Sequence, residues 1–443
     1  MTDAQGIRRN WKQFLLQLLM VFSVGLTIGS ERTVVPVLGR EAFGIESVLV
    51  IGSFVLSFGF VKAILNLYGG KWADEYGRKP ILALGWLVAL PIPVILVVAP
   101  NWWWITVGNV LLGVNQGLAW SMSVNAKIDL AGSGARGLAV GLDEAFGYTG
   151  VAVGGWVTGA VATAFGYRPE PFYLLAGVVV AGLVASLLLV EETKPYADAE
   201  VAAEEAADAT ADGSPGGYAT DEAGDPATDD SADGDLPFLA VVKRATYGDR
   251  TLFAAAQAGS VEKFVDALVW IGYPLYFTSM GLSVEQVGVV VGVYGAVWGV
   301  GQVFTGRLAD RIGRRPPVVG GMFLAGAGTL LTVLVAGYPA WIGAAAVTGA
   351  GMALLYPNLI TVVGDAAHPR WRARGLGVYR MWRDAGYGFG ALFVGLLADL
   401  ASMEAAIVGV GLAMLLSGAV TLRWLEETHP TLGSGTDRSP AAS

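Results

Sequence analysis

GGKWADEYGRKP at residues 69–80 and TGRLADRIGRRP at residues 305–316 are two copies of one basic loop. The first copy holds Gly70, Asp74, Gly77, Arg78 and Lys79; the second holds Gly306, Asp310, Arg311, Gly313, Arg314 and Arg315. An apolar run of about 20 residues, the length of a bilayer-crossing helix, flanks each copy on both sides, at roughly 46–69, 80–99, 285–308 and 317–337. The correspondence extends outward. RGLAVGLDEAFGY from Arg136 to Tyr148 is matched by RGLGVYRMWRDAGYG from Arg374 to Gly388, and the run from Gly117 through Asn125 to Asp129 by that from Gly351 through Asn358 to Asp365. The remaining apolar stretches lie near 12–38, 102–126, 136–164, 171–190, 250–278, 340–363, 374–398 and 404–424, which makes twelve. They lack barrel-type alternation, and an open sheet in lipid leaves backbone groups unpaired, so each is a predicted helix. The expected fold is an all-α polytopic membrane protein, with twelve transmembrane helices in two pseudo-symmetric six-helix bundles. Such duplicated units are the architecture of carriers whose halves rock about a midplane site.

Composition agrees with lipid as the solvent. Of the 443 residues 54% are hydrophobic and 15% charged, against about 25% charged in soluble domains, which excludes an ordinary cytosolic enzyme. There is no Cys, and the two histidines, His368 and His429, cannot build a His-rich metal site. No nucleotide-binding P-loop and no catalytic constellation is present, so neither a primary pump nor an enzyme is expected. Arg8, Arg9, Asn10, Trp11 and Lys12 precede the first apolar run, which is too long for a signal core and contains Glu31, Arg32 and Pro36; a retained first helix with a basic flank is expected. The net charge of -9 belongs to one segment. Ala197 to Asp235 holds 13 Asp plus Glu and no base, and without those acids the charge is +4. Such a segment cannot bury enough apolar surface to order itself. The expected organisation is a six-helix bundle at 1–190, a disordered acidic linker at 191–249, a second bundle at 250–428 and a disordered tail at 429–443. Bases gather in alternate loops, at Lys71, Lys127, Arg136, Arg307, Arg370, Arg372 and Arg374 besides the motif bases, whereas the other loops hold only Arg40 and Arg168. By the positive-inside rule both termini and the linker are cytoplasmic.

The paired loops resemble the G-x-x-x-D-R/K-x-G-R-R/K motif of the major facilitator superfamily, and the resemblance covers the chain apart from the linker. It implies that Asp74 and Asp310 latch each loop against the start of a helix in the opposite half and close the cytoplasmic side. Glu75 stands where the family usually has a base. Two departures are visible: the fourth-helix motif R-x-x-Q-G appears as Gly113, Val114, Asn115, Gln116, Gly117, without its Arg, and the antiporter motif G-P-x-x-G-G appears as Gly150 to Gly155 with Val151 for Pro. Small residues at these places still allow close helix packing.

Ionisable groups inside the spans are costly in lipid, so each should face a cavity or a partner. Glu31 and Arg32 lie toward the outer side, either at a gate or cavity or as an interfacial pair; Lys62 suits an internal ion pair or contact with a substrate anion. Asp143 and Glu144 on the fifth span, and Arg380, Arg383 and Asp384 on the equivalent eleventh, suggest salt bridges across the bundle interface that form as the cytoplasmic side closes. Static bridges are the alternative. On the seventh span Glu262 and Asp266 share a face that continues to Trp270 and Tyr273, with Lys263 beside them. A partly desolvated carboxylate there could exchange a proton with the cavity. Glu262 and Asp266 are thus the first coupling candidates, ahead of Asp143 and Glu144, unless Lys263 holds them. Trp120, Asn125, Trp270, Tyr273, Tyr356 and Asn358 complete the candidate cavity.

The expected function is alternating-access transport of a small organic molecule, with proton-coupled export of the drug or metabolite efflux type ahead of proton-coupled uptake of a small metabolite; a non-transporting sensor is a remote alternative. The expected setting is the plasma membrane, multi-pass and monomeric, with a small-molecule substrate, no nucleic acid, no metal and no cofactor besides the proton.

Overall fold

The computed structural model describes residues 5–132, 135–199, 202, 236–368 and 371–429; of Gly70, Lys71, Asp74 and Ala373 the backbone alone is described. Every predicted span holds a helix. In the first half α1 is Trp11–Arg32 resumed by Val35–Glu41, α2 is Val48–Ile51 with Ser53–Tyr76, and α3 is Arg78–Ala89 with Pro91–Val98. Then come α4 (Trp102–Ala131), α5 (Arg136–Phe165) and α6 (Pro171–Leu188). In the second half α7 runs Arg250–Ala267, through a π segment at Leu268–Gly272, to Tyr273–Ser279, and α8 is Val284–Ile312. The last four are α9 (Arg315–Leu334), α10 (Tyr338–Ala353 with Tyr356–Ala366), α11 (Arg372–Leu400) and α12 (Met403–Trp424).

Four interruptions have one cause. The second segments of α1, α3, α7 and α10 each begin with Pro in their first two positions, at Pro36, Pro91, Pro274 and Pro357. Proline lacks the N–H for the helix ladder and crowds the carbonyl one turn back, so each helix breaks and restarts there.

Eight spans are long and apolar enough to cross a bilayer by composition alone. The other four, α4, α5, α7 and α11, carry the buried Lys127, Asp143, Glu144, Glu262, Lys263, Asp266, Arg383 and Asp384. They are therefore the helices that face protein and cavity. Packing repeats the sequence symmetry: α1 lies on α5 as α7 lies on α11, and α2 on α4 as α8 on α10. Across the halves α5 packs on α8, and α2 on α11, again one relation seen twice. Glycine permits these approaches. A Cβ on Gly25 or Gly29 of α1 would strike the α5 backbone at Gly147 and Val151, and one on Gly150 would strike the α1 backbone at Phe22.

The linker differs from its predicted limits. Residues 236–249, assigned by composition to the disordered segment, form a short helix at Phe238–Lys243 running into a π turn at Arg244–Gly248. Second-half groups hold it: Arg374 Nη1 donates to Leu236 O at 2.7 Å and Trp382 Nε1 to Thr246 Oγ1 at 3.0 Å. Residues 191–199 are also placed. The 13 acids lie beyond these edges or at the first of them, and apart from residue 202 the expectation of disorder over 200–235 falls outside the described residues, as does that for 430–443.

Candidate functional site

The paired loops mark one end of the bundle, the basic end. At that end Gly77 and Gly313 adopt φ of 93° and 94°, a left-handed conformation that suits glycine. The two following backbone N–H groups point at a carboxylate: Arg78 N and Lys79 N donate to Glu192 at 2.9 and 3.1 Å, and Arg314 N and Arg315 N donate to Glu427 at 2.8 and 3.1 Å. A Cβ on either glycine would collide with the same carboxylate. Both Glu residues sit in a repeated EET after α6 and α12, a fourth repeat that decides the loop geometry. Burial pulls Glu427 upward, but the N–H groups of Arg314, His429 and Arg315 outweigh it and hold its carboxyl below the usual carboxylate range. The motif Arg pairs symmetrically too, Arg78 with Asp129 at 2.9 Å and Arg314 with Asp365 at 3.6 Å.

Halfway along the bundle, walls from both halves enclose a cavity of about 30 Å³, roughly the space of one water. Lys62, Trp120, Glu144 and Tyr148 line it from the first half, and Tyr356, Arg380, Arg383 and Asp384 from the second. Lys62 Nζ lies 3.8 Å from Asp384 across the halves, and Asn66 of α2 also donates to Asp384. Arg383 pairs with Glu262 at 3.0 Å and stacks 3.6 Å from the Tyr356 ring centre. Glu144 Oε1 accepts from Trp120 Nε1 at 3.2 Å, whereas its Oε2 has no hydrogen-bond partner.

A second cluster lies farther from the basic end. Counting 1.5 Å per residue, Glu144 is roughly 12 Å from the start of α5, Asp266 roughly 24 Å from the start of α7 and Arg32 roughly 32 Å from the start of α1. Arg32 Nη1 meets Asp266 Oδ1 at 2.5 Å across the halves, the two side chains 1% and 0% exposed. Lys263 approaches Asp266 at 3.3 Å and Glu262 at 3.5 Å, while the Tyr387 and Tyr294 hydroxyls donate to Asp266. Beyond the cluster the halves stay in contact: Gly288 of α8 abuts Gly155 of α5, and Thr163 Oγ1 accepts from Glu285 N at 3.0 Å. Asp399, at the end of α11, accepts from Ser47 Oγ at 2.6 Å, Val48 N at 2.6 Å and Leu49 N at 3.2 Å at the start of α2. At the basic end, by contrast, the halves part around a cleft of about 480 Å³ between Arg136–Leu142 of α5 and Gln302–Arg314 of α8 and its loop, with Asn358 of α10 on its wall.

A family model described as Major Facilitator Superfamily matches residues 18–261 and, a second time, 252–442. The chain belongs to that superfamily. Over 144 residues it is 33% identical to the 3-(3-hydroxy-phenyl)propionate transporter of Escherichia coli (strain K12), covering 32% of this chain and 34% of the relative. Over 153 residues it is 30% identical to the Multidrug resistance protein MdtH of Aeromonas hydrophila, covering 33% and 38%. The alignments thus span about a third of these curated relatives. Among solved structures the chain superposes on the xylose transporter XylE from E. coli, in a partially occluded inward open conformation, with a TM-score of 0.66, 14% identity, 94% of this chain and 98% of the other. That likeness gives the superfamily fold to a multi-pass membrane protein.

Within the superfamily fold the predicted residues divide. Lys62, Trp120, Glu144, Tyr356, Arg380, Arg383 and Asp384 do meet at one cavity. The expected bridges from Asp143 and Glu144 to Arg380 and Arg383 are not formed: Asp143 pairs with Lys127 at 2.7 Å within its own half, and Arg383 turns to Glu262. Cross-half pairing falls instead to Arg32–Asp266 and Lys62–Asp384, because Lys127 and Glu262 lie one helix away from the expected partners. Glu31 accepts from Asn109 at 2.8 Å and does not pair with neighbouring Arg32. Glu262 and Asp266, the first coupling candidates, are both held by Lys263. Trp270 is buried under Arg32, 5.1 Å from its guanidinium, rather than on the cavity wall. The π segment adds a residue to the turn, so Tyr273 leaves the expected face and bonds Thr332 of α9 at 3.0 Å. Asn125 does not line the cavity, and Asn358 donates back to Leu354 O at 2.7 Å. Asp310 is 65% exposed and pairs with Arg314 in its own loop at 2.6 Å, so it does not grip the opposite half. The Asp74 side chain lies outside the described residues, with Gly70 beside it. Tyr148, Tyr387, Asn66, Asp399, Glu192 and Glu427 had no place among the predicted site residues; the EET repeat was the one signal available for the last two.

Proposed function

We propose that the chain carries a small organic molecule across the plasma membrane by alternating access, coupled to proton movement and directed outward, with the basic end and both termini in the cytoplasm. One observation carries this reading. A charged cavity lies between the halves, sealed on the far side by Arg32–Asp266 and Asp399, and a separate cleft parts the halves at the basic end. Each seal joins one half to the other, so rocking that breaks it opens the far side, and a transported molecule that favours one arrangement shifts the population. Outward direction is supported by the likeness to a multidrug resistance protein. No cofactor besides the proton is invoked.

The coupling proton is assigned to Glu144. It lines the cavity and keeps Oε2 free of partners, whereas Asp143 is paired with Lys127 and Glu262 and Asp266 are paired several times over. The test is transport in proteoliposomes under an imposed pH gradient. Accumulation should follow the gradient, and Glu144→Gln should lose that dependence while still exchanging substrate across the membrane; transport indifferent to the gradient removes the coupling claim. Proton-coupled uptake is the second reading, favoured by the polar, charge-lined wall, which suits a small hydrophilic solute better than a lipophilic drug. Everted and right-side-out vesicles separate the two directions.

A further inference from the structure

We infer that the cavity is built for an organic monoanion, an aromatic carboxylate whose charge is taken by Arg380. This inference rests on the transport reading and names its substrate class. The other two cations on the wall have a carboxylate at hand, Lys62 in Asp384 at 3.8 Å and Arg383 in Glu262 at 3.0 Å. Arg380 forms no such pair: no described carboxylate lies within salt-bridge distance of it, its Nε is buried without a hydrogen-bond partner, and Glu144 and Asp384 act on its charge only from farther off. Glu144, which shares the wall from the opposite half, accepts from Trp120 through Oε1, keeps Oε2 unpartnered and forms no salt bridge with Arg380.

A cation facing a low-dielectric cavity without a directly paired carboxylate is expensive, and pairing with an anion relieves the cost. The planar guanidinium fork matches a carboxylate through two parallel hydrogen bonds, which an ammonium or hydroxyl cannot form. Trp120 and Tyr356 add ring surface from the two halves, which suits a flat apolar body behind the carboxylate. As it stands the cavity admits about one water molecule, so the anion enters as the halves part from the cleft side. An inside-negative membrane drives such an anion outward, the direction proposed above.

Three probes of one shape test the inference on the purified full-length protein: 3-phenylpropionate, 3-phenylpropan-1-ol and 3-phenylpropylamine, titrated by calorimetry and by tryptophan fluorescence. The carboxylate should bind at least tenfold tighter than the alcohol and the amine. Arg380→Gln should weaken it at least tenfold, Arg380→Lys should fall between, and Arg40→Gln, far from the cavity, should leave it unchanged. Thermal unfolding of each variant reports whether it is folded. Equal binding of the alcohol or amine, carboxylate binding retained in folded Arg380→Gln, or no binding of any probe overturns the inference. Counterflow of the same probes in proteoliposomes separates it from the reading beneath it. Carboxylate bound through Arg380 but never moved sinks transport and leaves the anion site, whereas movement of the amine without carboxylate binding sinks the anion site and leaves transport.

Discussion

Replacing Asp266 by Asn should open the far side of the carrier. In the closed arrangement Arg32 is 1% exposed, its Nε and Nη2 have no hydrogen-bond partner, and among the described residues Asp266 at 2.5 Å is the one carboxylate paired with it. Removing one member of a buried pair costs about 3–5 kcal/mol, because the other charge is left uncompensated. Arg32→Gln should cost less, about 1–3 kcal/mol, since Asp266 keeps Lys263 and the Tyr387 and Tyr294 hydroxyls. Parting of the far side would let water reach Arg32, so most of the penalty falls on the closed state. At about 1.4 kcal/mol per decade, Asp266→Asn shifts the equilibrium by roughly two orders of magnitude or more toward the far-open form. The chain has no cysteine, so a single Val291→Cys, at a site 1% exposed on α8 near Gly155, reports the opening without interference. A membrane-impermeant maleimide applied from outside should label Val291→Cys slowly in the parent and at least about thirtyfold faster with Asp266→Asn. Arg32→Gln should lie between, and the double variant, with neither charge left buried, below Asp266→Asn alone. Labelling no faster in Asp266→Asn than in the parent, or faster in Arg32→Gln than in Asp266→Asn, would refute the reasoning.

Three further outcomes follow from the same geometry. Asp399→Asn should weaken the grip on the start of α2 by about 0.5–2 kcal/mol, the range for a helix-capping group, and raise the Val291→Cys labelling rate severalfold; an unchanged rate would strip Asp399 of a gating role. Glu427 titrates below the usual carboxylate range, so its contribution to stability is present above that range and is lost as pH falls through its lowered value. Glu427→Gln should therefore lower the melting temperature at pH 7, with the difference shrinking as pH falls below the usual carboxylate range, and a difference that persists in acid would contradict the cap. Gly150→Val should abolish folded protein in the membrane, since the side chain meets the α1 backbone at Phe22, whereas Gly141→Ala, with open space around it, should express normally; equal expression of the two would dissolve the packing argument.

What could be read from the sequence was whatever depends on local chemistry or on the repeat. The twelve spans, the duplicated halves and the breaks at Pro36, Pro91, Pro274 and Pro357 need no tertiary information, because lipid and proline impose them residue by residue. Helix faces were less secure. Glu262 and Asp266 were placed together correctly, but Tyr273 was lost to a π segment that no composition signal announces. Partners across helices were least legible. Asp143 and Glu144 are adjacent carboxylates that the sequence does not tell apart, yet one pairs with Lys127 and the other faces the cavity, a difference set by a rotation of roughly 100° about α5. Edge residues 236–249 followed the linker in composition, but Trp382 and Arg374, distant in sequence, hold them.

The two-fold repeat also explains how one motion serves both ends. The resemblance gives Asp74, in the last turn of α2, the task of holding the start of a helix of the opposite half at the basic end, and Asp399, at the end of α11, holds the start of α2 at the far end. Both latches join α2 to the opposite half and both set a carboxylate against a helix N-terminus, where the dipole favours negative charge. Because α2 and α11 cross beside the cavity, through Lys62–Asp384, a tilt about that contact separates one pair of ends as it brings the other together. Opening of the far latch and closing of the basic one are then one event. Asp310, 65% exposed beside the parted basic end, is in the position such a latch takes when its side is open.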